Sequence, residues 1–161
     1  MQVLPIRLVP DPVLRRKAKR VRGLDGPIQR LIDEMIETMR DAYGVGLAAP
    51  QVGKLWRIIV IELPGEEVKT LINPEVVKKG GERVVEEGCL SIPGYRGEIK
   101  RSVSVTAKGY NRQGKEIRLR GKELLAQALE HEIDHLNGVL YIDYLESPDK
   151  LYKIHWEQAG L

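Results

Sequence analysis

The string His131-Glu132-Ile133-Asp134-His135 constrains this chain more than any other stretch of it. Two histidines four residues apart face the same way only on a helix, where their Cβ atoms lie about 5–6 Å apart. At that spacing two imidazoles can share one ion at ~2.0–2.1 Å. The surrounding segment, from about Lys122 to Asn137, reads as a helix stopped by Gly138. Glu123, Gln127, Glu130, Asp134 and Asn137 fall in one stripe about 80° wide at 3.6 residues per turn, which reads as the solvent face. His131, His135 and Glu132 lie off that stripe and are expected to point inward. Burying a carboxylate and two imidazoles without partners costs several kcal/mol; an ion and its water would satisfy all three. A fold for this chain therefore has to enclose the helix on its histidine side. The competing reading, a chance string in a charged helix, must place two of only three histidines in this frame.

Two ligands are too few, because catalytic sites of this kind use three protein ligands and keep one position open. One metallopeptidase pattern places a third histidine six residues after the second, following a glycine. Gly138 fits that pattern, but position 141 is Tyr. Glu157 is a second candidate, disfavoured by its place near the end of the sequence. Cys89 is a third, at the end of a strand-like run, Val85-Glu86-Glu87-Gly88-Cys89. Taken alone, a cysteine there reads equally as a small buried hydrophobe.

The remainder of the sequence predicts an α+β fold in one domain, residues 1–161. Hydrophobic residues make up 42% and charged residues 30% of the chain, a globular balance rather than a disordered one. Ile28, Leu31, Ile32, Met35, Ile36 and Met39 form one buried stripe of a helix over Pro27–Tyr43. Asp25-Gly26-Pro27 opens it and Gly44 closes it. Gly44 to Gly53 is too poor in polar residues for an ordinary surface loop. Strands are predicted at Arg57–Leu63, Val68–Ile72, Glu75–Lys79, Arg83–Glu87, Ser102–Tyr110 and Glu116–Arg120, with turns at Pro64-Gly65 and Asn111–Gly114. A short strand, Val139–Tyr144, and a short C-terminal helix from about Pro148 complete the prediction. Hairpin-linked strands with few helices argue against a doubly wound sheet.

Charge and targeting signals exclude several classes. The net charge of +3 comes from 26 basic and 23 acidic residues spread along the chain. The local excess is Arg15–Arg22, six cations in eight residues, which suits an anionic partner or a plain solvated flank. No apolar run spans a bilayer, and the first residues lack a signal-peptide pattern. With a single cysteine, these features predict a cytoplasmic protein in a reducing compartment, with no membrane association and no specific DNA binding.

Three segments together, Gly44–Gly53 (GVGLAAPQVG), Glu87–Pro93 (EGCLSIP) and His131–Gly138 (HEIDHLNG), resemble the peptide deformylase family in order and spacing. The resemblance spans roughly residues 5 to 145. It implies a central helix bearing the histidine motif, surrounded by antiparallel sheets. It implies removal of the N-formyl group from N-formylmethionyl nascent peptides, with transient ribosome association following from that substrate class. It also makes Cys89, His131 and His135 the ligands of one divalent ion and Glu132 the general acid/base. Gln51, through its amide, and Leu90, through its backbone N–H, fall at the oxyanion position. Gly46 falls where backbone hydrogen bonds meet the peptide, and Arg96 matches a position near the substrate backbone.

The ion implied by the resemblance is Fe2+, replaceable by Zn2+, Ni2+ or Co2+, although spacing alone favours zinc. Ferrous iron beside a thiolate is expected to be oxygen-sensitive. A slot for the methionine side chain is expected among Val45, Val85, Leu124 and Ala128, each of which reads equally as core. Glu130 stands where the family commonly has Gln; on the solvent stripe, it is expected to leave the chemistry untouched. Two other readings compete: a zinc peptidase of the H-E-x-x-H type, and a structural metal site in a ribosome-associated module.

Overall fold

Why Gly44–Gly53 is so apolar is answered by its neighbours in the computed structural model, which describes residues 2–154. Gly46–Ala48 form a strand, β1, and Ile58–Ile61 a second, β2, paired antiparallel with Leu47 opposite Val60. Every side chain of both strands is buried. Strand side chains alternate between faces. Ala48, Ile59 and Ile61 accordingly join one apolar cluster, and Leu47, Ile58 and Val60 another. The first cluster lies under the helix α2 (Leu124–Leu136) and the second under α1 (Gly26–Asp41). A sheet covered on both faces needs continuous apolar runs rather than alternation.

α1 begins as its signals predict. Asp25 accepts a hydrogen bond from the Ile28 N–H at 3.1 Å, and Pro27 sits in the first turn. Its end differs: the helix closes at Asp41, and Tyr43, not Gly44, takes the left-handed conformation at φ 56°.

The remaining strands are β3 (Lys69–Gly80), β4 (Arg83–Cys89), β5 (Ile92–Arg101), β6 (Ser104–Tyr110), β7 (Glu116–Lys122) and β8 (Leu151–Lys153). They build a five-stranded sheet, β1-β2-β3-β6-β7, and a three-stranded sheet, β4-β5-β8, with every pairing antiparallel. α2 packs against all five strands of the larger sheet and against β5 of the smaller one. The fold is thus α+β, with two helices and antiparallel sheets.

Four predicted elements require correction. Val68–Ile72 and Glu75–Lys79 are one strand, β3, whose register shifts between Ile72 and Glu75. There Asn73 adopts φ 53° and its side chain exchanges hydrogen bonds with the backbone of Val21 at 2.8 and 2.9 Å. β5 was not predicted at all. Pro93, Gly94 and Gly97 read as turn residues, but Gly97 is a strand residue whose missing Cβ makes room for Tyr141: a Cβ would lie 2.9 Å from that ring. Val139–Tyr144 is not a strand. Tyr141–Tyr144 form a 3-10 turn in which Asp143 accepts a hydrogen bond from the Leu140 N–H at 3.0 Å. Finally, Pro148 opens a single 3-10 turn, Pro148–Lys150, followed by β8 rather than by a helix. Any continuation of the predicted C-terminal helix, with Glu157, lies outside the described residues. Among the described residues, no helix is long and apolar enough to cross a membrane.

Candidate metal centre

α2 starts at Leu124, two residues later than predicted, and carries His131, Glu132 and His135, all buried. β4 supplies the third group. Its inward-facing positions alternate as Val85, Glu87 and Cys89, so the period of the strand itself brings Cys89 to the same face as Glu87. Cys89 Sγ lies 3.4 Å from His135 Nε2, which lies 3.2 Å from His131 Nε2. One ligand atom from each of the three residues falls within 4.8 Å of the others. Bonds of ~2.0–2.1 Å to nitrogen and ~2.3 Å to sulfur in a tetrahedral site imply edges of about 3.3 and 3.6 Å. The donor set therefore fits a divalent ion, with one soft thiolate and two imidazoles and, among the described residues, no fourth protein ligand in the cluster.

The His131 ring is oriented from behind. Glu87, fully buried, accepts a hydrogen bond from His131 Nδ1 at 2.5 Å, which fixes the ring with Nε2 as the nitrogen facing Cys89 and His135. Arg101 clamps both Glu87 oxygens, Nε at 3.0 Å and Nη2 at 2.6 Å, and its Nη1 reaches Asp134 at 2.8 Å. Gln127 Nε2 adds a bond to Glu87 at 3.2 Å, and the Tyr144 hydroxyl donates to Asp134 at 3.0 Å. Burial raises the Glu87 pKa, but His131 and Arg101 more than offset this and hold it down to about 2. Burial opposes charge on His131 as well, yet Glu87 and Glu132 hold its pKa well above the ordinary imidazole value. His135 is displaced the other way, by burial and by the charge on His131.

This network corrects the reading of the polar stripe as a solvent face over its middle residues. Gln127 and Glu130 are buried, and Glu130 accepts hydrogen bonds from Ser102 N at 2.8 Å and Ser102 Oγ at 3.3 Å and pairs with Lys79 at 3.1 Å. The stripe's middle residues, Gln127, Glu130 and Asp134, are satisfied by β4, by Arg101 and Ser102 at the end of β5 and by Lys79 of β3, while Glu123 and Asn137 at its two ends are exposed as expected. A helical wheel separates polar from apolar, but it cannot distinguish water from a buried arginine. Arg101→Met is expected to leave the fully buried Glu87 without its guanidinium partner, held only by His131 and Gln127, costing about 3–5 kcal/mol. A drop in melting temperature of about 10 °C in calorimetry is the check; an unchanged midpoint would show the clamp to be dispensable.

Glu132 lines the same centre. One of its oxygens lies 4.0 Å from His131 Nε2, and the other is buried with no hydrogen-bond partner among the described residues. Burial raises its pKa to about 7. Gly46 presses against it: a Cβ at position 46 would lie 2.5 Å from a Glu132 oxygen. Gln51 is buried beside the centre, its Oε1 accepting from Ala48 N at 2.9 Å and its Nε2 donating to Ser91 Oγ at 3.1 Å and to Cys89 Sγ at 3.6 Å. Leu90 occupies the turn between β4 and β5, and its side chain fills the space a Cβ on Gly44 would need.

The four residues expected to line a methionine slot divide. Val45 and Ala128 share one apolar cluster, Val85 belongs to another, and Leu124 stands at the start of α2, 38% exposed. Arg96 lies on β5 opposite Tyr152 and donates to the Glu86 carbonyl at 3.4 Å. Sequence reasoning missed Glu87, Ser91, Arg101 and Asp134. For Glu87 a signal existed: it shares the inward period of Val85 and Cys89.

The polypeptide deformylase family model matches residues 3–151. A peptide deformylase of Dehalococcoides mccartyi is 57% identical over 155 residues, covering 96% of this chain and 93% of that protein. One of Halothermothrix orenii is 54% identical over 144 residues, covering 89% and 94%. Among solved structures, a peptide deformylase from Legionella pneumophila superposes with a TM-score of 0.89 at 46% identity, covering 92% of this chain and 89% of that one. One from Synechococcus elongatus in complex with actinonin gives 0.89 at 40% identity, covering 91% and 81%.

Proposed function

The chain belongs to the polypeptide deformylase family, and from that premise we propose that it removes the formyl group from the N-terminal formylmethionine of newly synthesised polypeptides, releasing formate. The observation that carries this reading is the convergence of Cys89, His131 and His135 beside an inward-facing Glu132. The three would hold one divalent ion, Fe2+ by family resemblance, with Zn2+, Ni2+ or Co2+ as substitutes. Bound there, it supplies Lewis acidity and lowers the pKa of a coordinated water.

The remaining steps fall to the chain's own residues. Glu132 takes a proton from the attacking water as its oxygen adds to the formyl carbon. It returns that proton to the nitrogen as the carbon–nitrogen bond breaks, so the peptide leaves as an amine rather than an amide anion. The raised Glu132 pKa, about 7, suits a group that must both accept and give a proton near neutrality. The Gln51 amide and the Leu90 N–H donate to the oxygen on which negative charge develops. Each such donor is worth about 2.7–4 kcal/mol of barrier.

β1 is an edge strand of the five-stranded sheet. Its outer side can pair with the substrate backbone through Gly46, in the manner of strand addition. Arg96 would approach the same backbone, and Val45, Leu124 and Ala128 would flank the methionine side chain. On this reading residues 1–161 act as a single catalytic domain in the cytoplasm, meeting nascent peptides at the ribosome without membrane or specific DNA binding.

Metal-loaded protein is expected to release formate from formyl-Met-Ala-Ser, measured by coupled oxidation of the formate. Metal-replete protein that released none would remove the assignment. Cleavage of an internal peptide bond instead would favour a peptidase.

A further inference from the structure

The basic run singled out in the sequence has a structural form that the hydrolytic site does not use. Of its six cations, Arg15 is engaged, pairing with Asp143 at 2.7 Å and reaching the Gly138 carbonyl at 3.3 Å. The side chains of Arg16, Lys17, Lys19, Arg20 and Arg22 are exposed. None of the five has an ion-pair or hydrogen-bond partner among the described residues. No acidic residue occurs between Asp11 and Asp25.

The backbone beneath these cations is pinned. Leu14, Ala18 and Val21 are buried. Ala18 N donates to the Leu136 carbonyl at 2.8 Å, Lys19 N to the Leu55 carbonyl at 2.8 Å, and Arg57 N to the Lys19 carbonyl at 2.9 Å. Asn73 holds Val21 from both sides. The five cations are thus presented by a segment fixed at Ala18, Lys19 and Val21, so little backbone entropy is lost when a ligand lies along it.

Beside the segment stands an aromatic. Trp56 is the bridge partner of Lys19 and is 37% exposed. Between them opens a cavity of about 630 Å³ whose lining includes Lys19, Val21, Arg22, Pro27, Ile28 and Trp56. Asp25 also lines it, with its carboxylate accepting from Ile28 N. A row of unpaired cations beside an exposed indole and an apolar-floored recess is the combination that binds single-stranded nucleic acid: charges track phosphates while aromatics stack on bases.

We propose that the Arg16–Arg22 segment with Trp56 forms a binding surface for a single RNA strand, the cations meeting its phosphates and Trp56 stacking on one base. The choice of RNA rests on the deformylase reading, because a nascent-chain substrate is delivered beside ribosomal RNA. The strip docks through Ala18 on the residue next to His135, at the C-terminal end of the helix that carries the histidines. A strand held there would lie near the hydrolytic centre without entering it.

The test uses the full-length metal-loaded protein and a fluorescein-labelled single-stranded RNA of mixed sequence, read by anisotropy. Five phosphate contacts predict a slope of about −3.5 in log K against log salt, at 0.7 per contact. Replacing Arg16, Lys17, Lys19, Arg20 and Arg22 together by Gln should abolish RNA binding, and Trp56→Ala should weaken it about tenfold. Formate release from free formyl-Met-Ala-Ser should stay within twofold in both variants, so loss of RNA binding and failure of the deformylase reading are separately visible. Should the fivefold variant misfold, Lys17→Gln with Arg20→Gln should flatten the slope by about 1.4. The proposal is overturned by an unchanged affinity in the Gln variants or by a slope near zero. Tighter binding to phosphatidylglycerol vesicles or to polyglutamate than to RNA would overturn it equally.

Discussion

A Glu132→Gln variant is expected to lose about 10²–10⁴-fold in turnover while keeping its metal and its fold. Gln preserves the shape of the side chain but cannot take a proton from water or return it to the leaving nitrogen. The stability side of this prediction is unusual for a buried residue. Glu132 is 1% exposed, and one of its oxygens has no hydrogen-bond partner among the described residues. Burial already drives its pKa up to about 7, so the charged carboxylate opposes folding. The neutral amide should therefore leave the melting temperature unchanged or raise it, the usual trade between a catalytic group and stability. Steady-state formate release, elemental analysis and calorimetry on one preparation separate the outcomes. Turnover within tenfold of the parent would remove Glu132 from the reaction.

The second large effect is expected at Cys89. Cys89→Ala removes the one soft donor and leaves two imidazoles, which should reduce metal affinity by more than the roughly 10–100-fold typical of losing an outer-shell partner. Little else should change. The substitution deletes a single buried sulfur, and Gln51 retains its bonds to Ala48 and Ser91. A readout independent of activity is available through linkage. A ligand at about 100 times its Kd stabilises the native state by about 2.7 kcal/mol, some 5–10 °C for a chain of this size. Adding Ni2+ to metal-free parent protein should produce that shift, and adding it to the variant should not. Equal metal stoichiometry and an equal shift in both proteins would place the ion elsewhere.

How much of this was legible beforehand follows from which interactions are local. Helix-spaced residues are close whatever the rest of the chain does, so His131, Glu132 and His135 could be placed on one inward face by counting. The α1 stripe and its Asp25 cap were legible for the same reason. β5 was not, because Pro93, Gly94 and Gly97 carry a turn composition and only the approach of Tyr141 explains the last glycine. Val139–Tyr144 has the β-branched and aromatic composition of a short strand, yet Arg15 and Leu140 hold Asp143 in a 3-10 turn.

The sequence by itself determined the reaction's raw materials: a histidine pair at helical spacing, one cysteine, an inward carboxylate and the α+β order of elements. Three motifs in register also carried the family resemblance. What only the tertiary structure decided is how those groups are held. Glu87, Arg101 and Asp134 lie on three different elements or their ends, and nothing in their spacing announces that they meet. A buried ion-pair network is energetically tolerable only when every member is paired, and that pairing exists only once β4, β5 and α2 have packed together. The middle of the polar stripe of α2, Gln127 and Glu130, looked like a face for water because a periodicity records polarity alone; its partners were settled by the strands and strand ends that came to lie against it.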